Sequence, residues 1–257
     1  MGSMESPFFR ASGLVKYIGL FLSGVCHQFP EHSFFIAGVQ MPLCARCTGT
    51  YLGALLGLCA SWWRGRSHAS RFPPRNILIL MVLFFGFWAA DGLNSYYYFL
   101  IGKPALYTPN NSLRLVAGMI SGLSLSLLVM PMFNATLWQK SDERRILNSV
   151  GELLMLLLSA LALGWLVQAN IGQLLYPVLL ASVLSVLITL TIVNTTILVL
   201  LFHHENHFRS WGEAWFPLTL GLTLSIAEVS SLALLRHWVT PILSAAPCEK
   251  FALIPCV

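Results

Sequence analysis

The sequence predicts an all-α, polytopic membrane protein of about seven transmembrane helices, with the N-terminus in the cytoplasm and the C-terminus outside. Three observations carry that expectation. Of 257 residues, 56% are hydrophobic and only 10% charged, and mean hydropathy is +0.73. That is more apolar surface than one soluble core can hide, which leaves lipid as the solvent. Apolar runs recur at 12–26, 48–64, 76–100, 113–133, 149–168, 173–202 and 214–237, and a spanning helix needs about 20 residues. Finally, the basic residues alternate from one connection to the next.

In the first run Arg10 and Lys16 precede an apolar stretch as in a signal peptide, but no small-x-small cleavage site comes after it, so it is read as a helix. The runs lack the two-residue alternation of barrel strands, and hydrocarbon tolerates no unpaired backbone, so every run is helical. Arg64, Arg66, Arg71 and Arg75 fall between the second and third runs, Lys140, Arg144 and Arg145 between the fourth and fifth, and Arg209 between the sixth and seventh. The intervening connections hold only Arg46, Lys103 and Arg114, and the tail adds Arg236 and Lys250. By the positive-inside rule the basic connections are cytoplasmic. The net charge of +5 therefore serves topology, and no nucleic-acid partner is expected. The bilayer is the one partner the composition implies; protein partners are not legible.

Residues 1–257 read as a single membrane domain with no long linker or repeat. Between the first two runs, Cys26 to Cys47 is the longest polar stretch with content. Its apolar Ser33–Phe34–Phe35–Ile36–Ala37 segment is either a short strand or a loop on the membrane surface. Cys59 lies inside the second run, where a thiol is usually a small apolar filler. The other five cysteines, Cys26, Cys44, Cys47, Cys248 and Cys256, all map to the exterior.

The C-x-x-C spacing lets Cys44 and Cys47 reach one metal ion, with Cys26 and His27 completing a set of three thiolates and one imidazole suited to zinc. A covalent haem would want His after the second cysteine, where Thr48 stands. The same dithiol at a helix N-terminus beside Arg46 also reads as redox chemistry with a quinone, with Cys248 and Cys256 as the shuttling pair. A third reading has the exterior cysteines as plain disulfide staples.

Cys26-His27-Gln28-x-Pro30, then Pro42-Leu43-Cys44-Ala45-Arg46-Cys47-Thr48-Gly49-x-Tyr51-x-Gly53, Asp91-Gly92, Asn111-Ser112-x-Arg114 and Gly118 together resemble an uncharacterised family of small prokaryotic membrane proteins, a domain of unknown function. The resemblance covers residues 20–134, which makes 135–257, with its additional helices and short Cys-containing tail, an extension of the family core. It implies residence in a prokaryotic cytoplasmic membrane and singles out the Cys/His block without naming an activity. The family pattern often carries Arg where this chain has His32, so no role is assigned there.

Charged groups inside hydrocarbon are costly and normally face a partner or a cavity. Asp91 stands nine residues before Leu100, roughly 13 Å below the outer end of its run, and Arg114 is its expected partner. The pair is either a structural salt bridge fixing two helices or, joined by Asn94 and Asn111, the floor of a polar pocket beneath the cysteines, with Asp91, Arg114 and Arg46 as candidate catalytic groups. Glu228 has no evident partner. His203 and His207 share one face at i, i+4 spacing if that segment is helical, a weak second metal pair. The expected function is a membrane protein with an exterior Cys/His zinc site above an Asp/Arg pocket, a membrane enzyme of unassigned reaction. The alternatives are a quinone-linked thiol oxidoreductase and a transporter or non-catalytic subunit of a membrane complex.

Overall fold

The computed structural model describes residues 13–245. Cys248 and Cys256 lie outside the described residues. Seven helices are described: α1 (Gly13–Leu22), α2 (Ala45–Trp63), α3 (Arg75–Ile101), α4 (Asn111–Leu137), α5 (Val150–Gln168), α6 (Leu175–Leu201) and α7 (Trp215–Ala245). Five of them, α3 to α7, are long and apolar enough to cross a membrane. The chain is thus an all-α helical membrane protein. Large apolar side chains such as Val82, Leu158, Trp165 and Leu234 stand exposed on these helices, as a lipid-facing wall requires.

Local sequence explains where the helices start and stop. Asn110 caps α4, its Oδ1 accepting the Leu113 N–H at 2.8 Å. Ser149 caps α5 through Glu152 N–H at 3.3 Å, while Glu152 reaches back to Asn148 N–H at 2.9 Å. Gly102 ends α3 in the left-handed conformation.

The centre of the bundle is α2 laid along α4. Gly49, Gly53 and Gly57 recur every four residues on α2, and Gly118 and Gly122 do the same on α4. A Cβ at Gly49 would collide with the Leu115 carbonyl, and one at Gly118 with the Arg46 carbonyl. Lipid gives helices no hydrophobic reason to associate, so this backbone-to-backbone approach, made possible by small residues, is what holds the pair. It also explains why α2, less apolar than the others, sits inside.

Between α1 and α2 the chain forms an antiparallel hairpin, β1 (Ser33–Ile36) with β2 (Val39–Cys44), so the 33–37 segment is a strand. Ala37 and Gly38 both take positive φ at its turn, as tight hairpins need, and Ala37 N–H is held by Asn170 Oδ1 at 3.2 Å. Asn111 Nδ2 donates to the Glu31 carbonyl at 3.1 Å, and Ser112 Oγ to Gln168. The hairpin, the α3–α4 connection and the α5–α6 connection therefore meet at one end. At the other end β3 (Ala69–Arg71) pairs with β4 (Asp142–Arg145). Arg66 clasps Glu152 there at 2.8 Å, Asn134 Nδ2 donates to the Ser67 and Ala69 carbonyls, and Arg209 Nε donates to Gln139 at 2.7 Å.

Candidate metal centre and polar network

Cys26 follows the last turn of α1, its N–H donating to the Leu22 carbonyl at 3.1 Å. Three anchors fasten the chain just beyond it. Gln28 adopts a positive φ of 58° and sends its Nε2 to the Gly19 carbonyl at 2.7 Å and the Pro42 carbonyl at 2.8 Å. Gln40 Nε2 donates to the Gln28 carbonyl at 2.8 Å. From α7, the Arg236 guanidinium donates to the carbonyls of Ser23 at 3.1 Å, His27 at 2.6 Å, and Cys26. Those carbonyls lie beyond Leu22, the last residue of α1.

Cys44 ends β2 and caps α2, and Cys47 lies in the first turn of that helix. Cys44 N–H donates to Cys26 Sγ at 3.1 Å. The sulfurs of Cys26, Cys44 and Cys47 all lie within 4.8 Å of one another, and all three are free thiols. Three sulfurs on arms of about 2.3 Å around one zinc stand about 3.8 Å apart, a modest contraction of this arrangement. The hydrogen bonds from the Cys44 and Cys47 thiols and the Cys44 N–H hold the Cys26 thiol down to about 3, against the upward push of burial. Cys44, giving its proton toward Cys26, is raised. Of the three sulfurs, Cys26 is the one whose surroundings favour the thiolate, beside the positive end of α2. This group of three cysteines can hold a metal ion.

His27 is not in that group; among the described residues the sulfurs gather no His, Asp or Glu. Its Nε2 instead lies 3.0 Å from His32 Nδ1. Burial lowers the pKa of both rings, with neighbouring arginines adding to it, and His32 falls to about 4.

Asp91, fully buried on α3, pairs with Arg46 rather than Arg114. Arg46 Nε donates to Asp91 Oδ2 at 3.0 Å, Nη2 donates to the same oxygen, and Nη2 also reaches Ser95 Oγ at 3.1 Å. Gly92, next to Asp91, lies against the Arg46 guanidinium, and a Cβ there would stand 3.7 Å from Arg46 Nη1, an ordinary contact distance. Tyr107 donates its hydroxyl to Asp91 Oδ1 at 2.7 Å. Arg114 bonds Asn111 Oδ1 at 2.9 Å and Ser95 Oγ at 3.5 Å. Asn94 accepts from Leu106 N–H at 2.9 Å and donates to the Tyr107 carbonyl at 2.8 Å, pinning the α3–α4 connection. Beside Arg114 lies a cavity of about 320 Å³.

Two further expectations are corrected. Glu228 does have a partner: Asn194 Nδ2 donates to its Oε2 at 2.9 Å and to Ser225 Oγ at 3.1 Å, joining α6 to α7. His203 and His207 share no helical face, because α6 stops at Leu201 and His203 takes a positive φ of 53°. Sequence reasoning gives no site role to Gln40 or Tyr107, reads Gln28 only as part of the Cys26-His27-Gln28-x-Pro30 block, and counts Arg236 only as a cation of the tail. Arg236 is findable, as a cation inside an apolar run; Tyr107 carries no local signal.

A family model described as "predicted membrane protein (DUF2085)" matches residues 26–128. An uncharacterized protein of Methanocaldococcus jannaschii is 32% identical over 143 residues, 52% of this chain and 85% of the relative. An uncharacterized protein of Methanothermobacter thermautotrophicus is 29% identical over 104 residues, 40% of this chain and 83% of the relative. No solved structure matches.

Proposed function

The chain belongs to the DUF2085 family of predicted membrane proteins, and from that premise we propose that it carries a tris-thiolate zinc centre, built from Cys26, Cys44 and Cys47, at the exterior end of seven spanning helices. The observation that supports this most is the approach of three free sulfurs, drawn from three different local structures, to within 4.8 Å. An all-sulfur donor set suits a borderline or soft ion such as zinc. Zinc with three thiolates carries one negative charge, which the nearby guanidiniums and the N-terminus of α2 favour. Structural zinc sites close with four protein ligands, whereas catalytic ones keep one position for water or substrate. Three sulfurs beside a network of Arg46, Asp91 and Arg114 therefore fit a membrane enzyme. The basic connections α2–α3, α4–α5 and α6–α7 argue for the cytoplasmic side of the opposite end.

The thiol–quinone reading draws less support. An apolar cavity of about 810 Å³ is lined by Cys59, Trp62 and Trp211. Cys59 lies twelve residues along α2 from Cys47, roughly 18 Å away at the helical rise.

Elemental analysis of the purified full-length protein, beside a Cys44→Ser/Cys47→Ser variant, tests the proposal. About one zinc per chain in the wild type and none in the variant is expected; a wild type without stoichiometric metal overturns it.

A further inference from the structure

The cavity of about 320 Å³ at the hairpin end is lined by Glu31, His32, Tyr98, Phe99, Pro109 and Arg114. Arg114 is only 5% exposed, yet no carboxylate lies within ion-pair distance of it among the described residues. Its hydrogen bonds go to neutral oxygens, those of Asn111 and Ser95. The buried acid nearby, Asp91, already takes two bonds from Arg46 and one from Tyr107.

The acidic groups near Arg114 are thus Asp91, already held by Arg46 and Tyr107, and the exposed Glu31 at the rim of the cavity. A buried guanidinium with no carboxylate in contact favours an anion from outside the chain. Arg114 sits in the first turns of the 27-residue helix α4, where the free N–H groups and the macrodipole also favour an anion.

We propose that the Arg114 cavity is a binding site for an oxyanion of the phosphate type, held by the Arg114 guanidinium. The planar fork of Arg matches phosphate oxygens in pairs. The cavity is large enough for a phosphate and the first groups attached to it. Its wall of Tyr98 and Phe99 belongs to the aromatic end of α3, and aromatic belts lie at headgroup depth. The ligand is therefore either a lipid headgroup or a free phosphate. Glu31 at the rim is exposed and opposes a purely anionic ligand. The inference extends the proposed function by naming what the polar side of the site takes, and it stands whichever metal the sulfurs hold.

Titration calorimetry on the full-length protein in an uncharged detergent tests it, with inorganic phosphate in one arm, dihexanoyl phosphatidic acid in a second and dihexanoyl phosphatidylcholine as the zwitterionic comparison. One saturable site is expected for inorganic phosphate, phosphatidic acid or both, and which arm binds identifies the source. Arg114→Gln weakens that binding at least tenfold, Arg114→Lys less so, and Glu31→Gln tightens it two- to threefold. Should Arg114→Gln fail to fold, the rim variant Glu31→Gln still decides, since an unchanged affinity there overturns the site. No saturable binding of either anion by the wild type overturns it, as does undiminished binding in Arg114→Gln. Metal content measured on the same samples separates the two readings: anion binding without metal removes only the zinc centre, and metal without anion binding removes only this site.

Discussion

Arg46 stands one residue before Cys47 and gives two hydrogen bonds to the buried carboxylate of Asp91, so the first turn of α2 carries the sulfur cluster and its tie to α3 together. Removing one partner of a buried pair leaves an uncompensated charge, a loss of about 3–5 kcal/mol. Asp91→Asn is therefore expected to lower the thermal midpoint in detergent sharply, and Asp91→Asn with Arg46→Gln to recover part of the loss. Additive losses in that double-mutant cycle would show that the two side chains act independently.

The α2–α4 seam predicts a position-specific response to one added methyl group. Gly49→Ala and Gly118→Ala each drive a Cβ into a facing backbone carbonyl and must part the helices. Gly86→Ala on α3 meets nothing within 4 Å and gains about 1 kcal/mol of helix propensity instead. Unfolding of the three variants in detergent is expected to show loss, loss and no loss. A Gly49→Ala protein as stable as wild type would mean that the helices do not approach this closely.

Tyr107 gives the site a pH signature. Burial first, then its hydrogen bond to Asp91 and that carboxylate's charge, push the phenol up to about 12. For a group raised in the folded state, the stabilisation is fully present below the unfolded phenol value, near 10, and is lost as pH rises through about 12. Tyr107→Phe is expected to cost about 1 kcal/mol at pH 7 and progressively less as pH rises past 10 toward 12. A penalty as large at pH 12 as at pH 7 would remove the hydrogen bond from the account.

Hydropathy made the helical membrane class legible because each run is a long local signal, and the three cysteines converge because chain connectivity brings the end of α1 back to the start of α2. Partner choice inside the membrane was not legible. Asp91 was expected to meet Arg114, but Arg114 turns to Asn111 and Ser95 and it is Arg46, from the first turn of α2, that reaches the carboxylate, a choice that rests on how three helices pack and not on any local pattern. The four-residue glycine spacing was present in the sequence but reads as ordinary small-residue content until two such helices are paired. The His203–His207 spacing misled for the opposite reason: an i, i+4 argument presumes a helix, and a left-handed residue directly after Phe202 ends it.

Arg236 supplies the most specific test of how the cysteines of the proposed metal centre are held. Its guanidinium donates to the carbonyls of Ser23, Cys26 and His27 and so fixes the backbone that carries the Cys26 sulfur. Groups that orient a ligand without binding the metal typically change affinity by about 10–100-fold. Arg236→Gln retains one donor of the fork and is expected to weaken metal binding within that range, measured by competition with a chromogenic chelator, with Arg236→Lys intermediate. A purely structural role would lower the unfolding midpoint and leave the affinity of the folded protein untouched. Equal chelator competition in wild type and Arg236→Gln would therefore assign this residue to the α1–α7 packing alone.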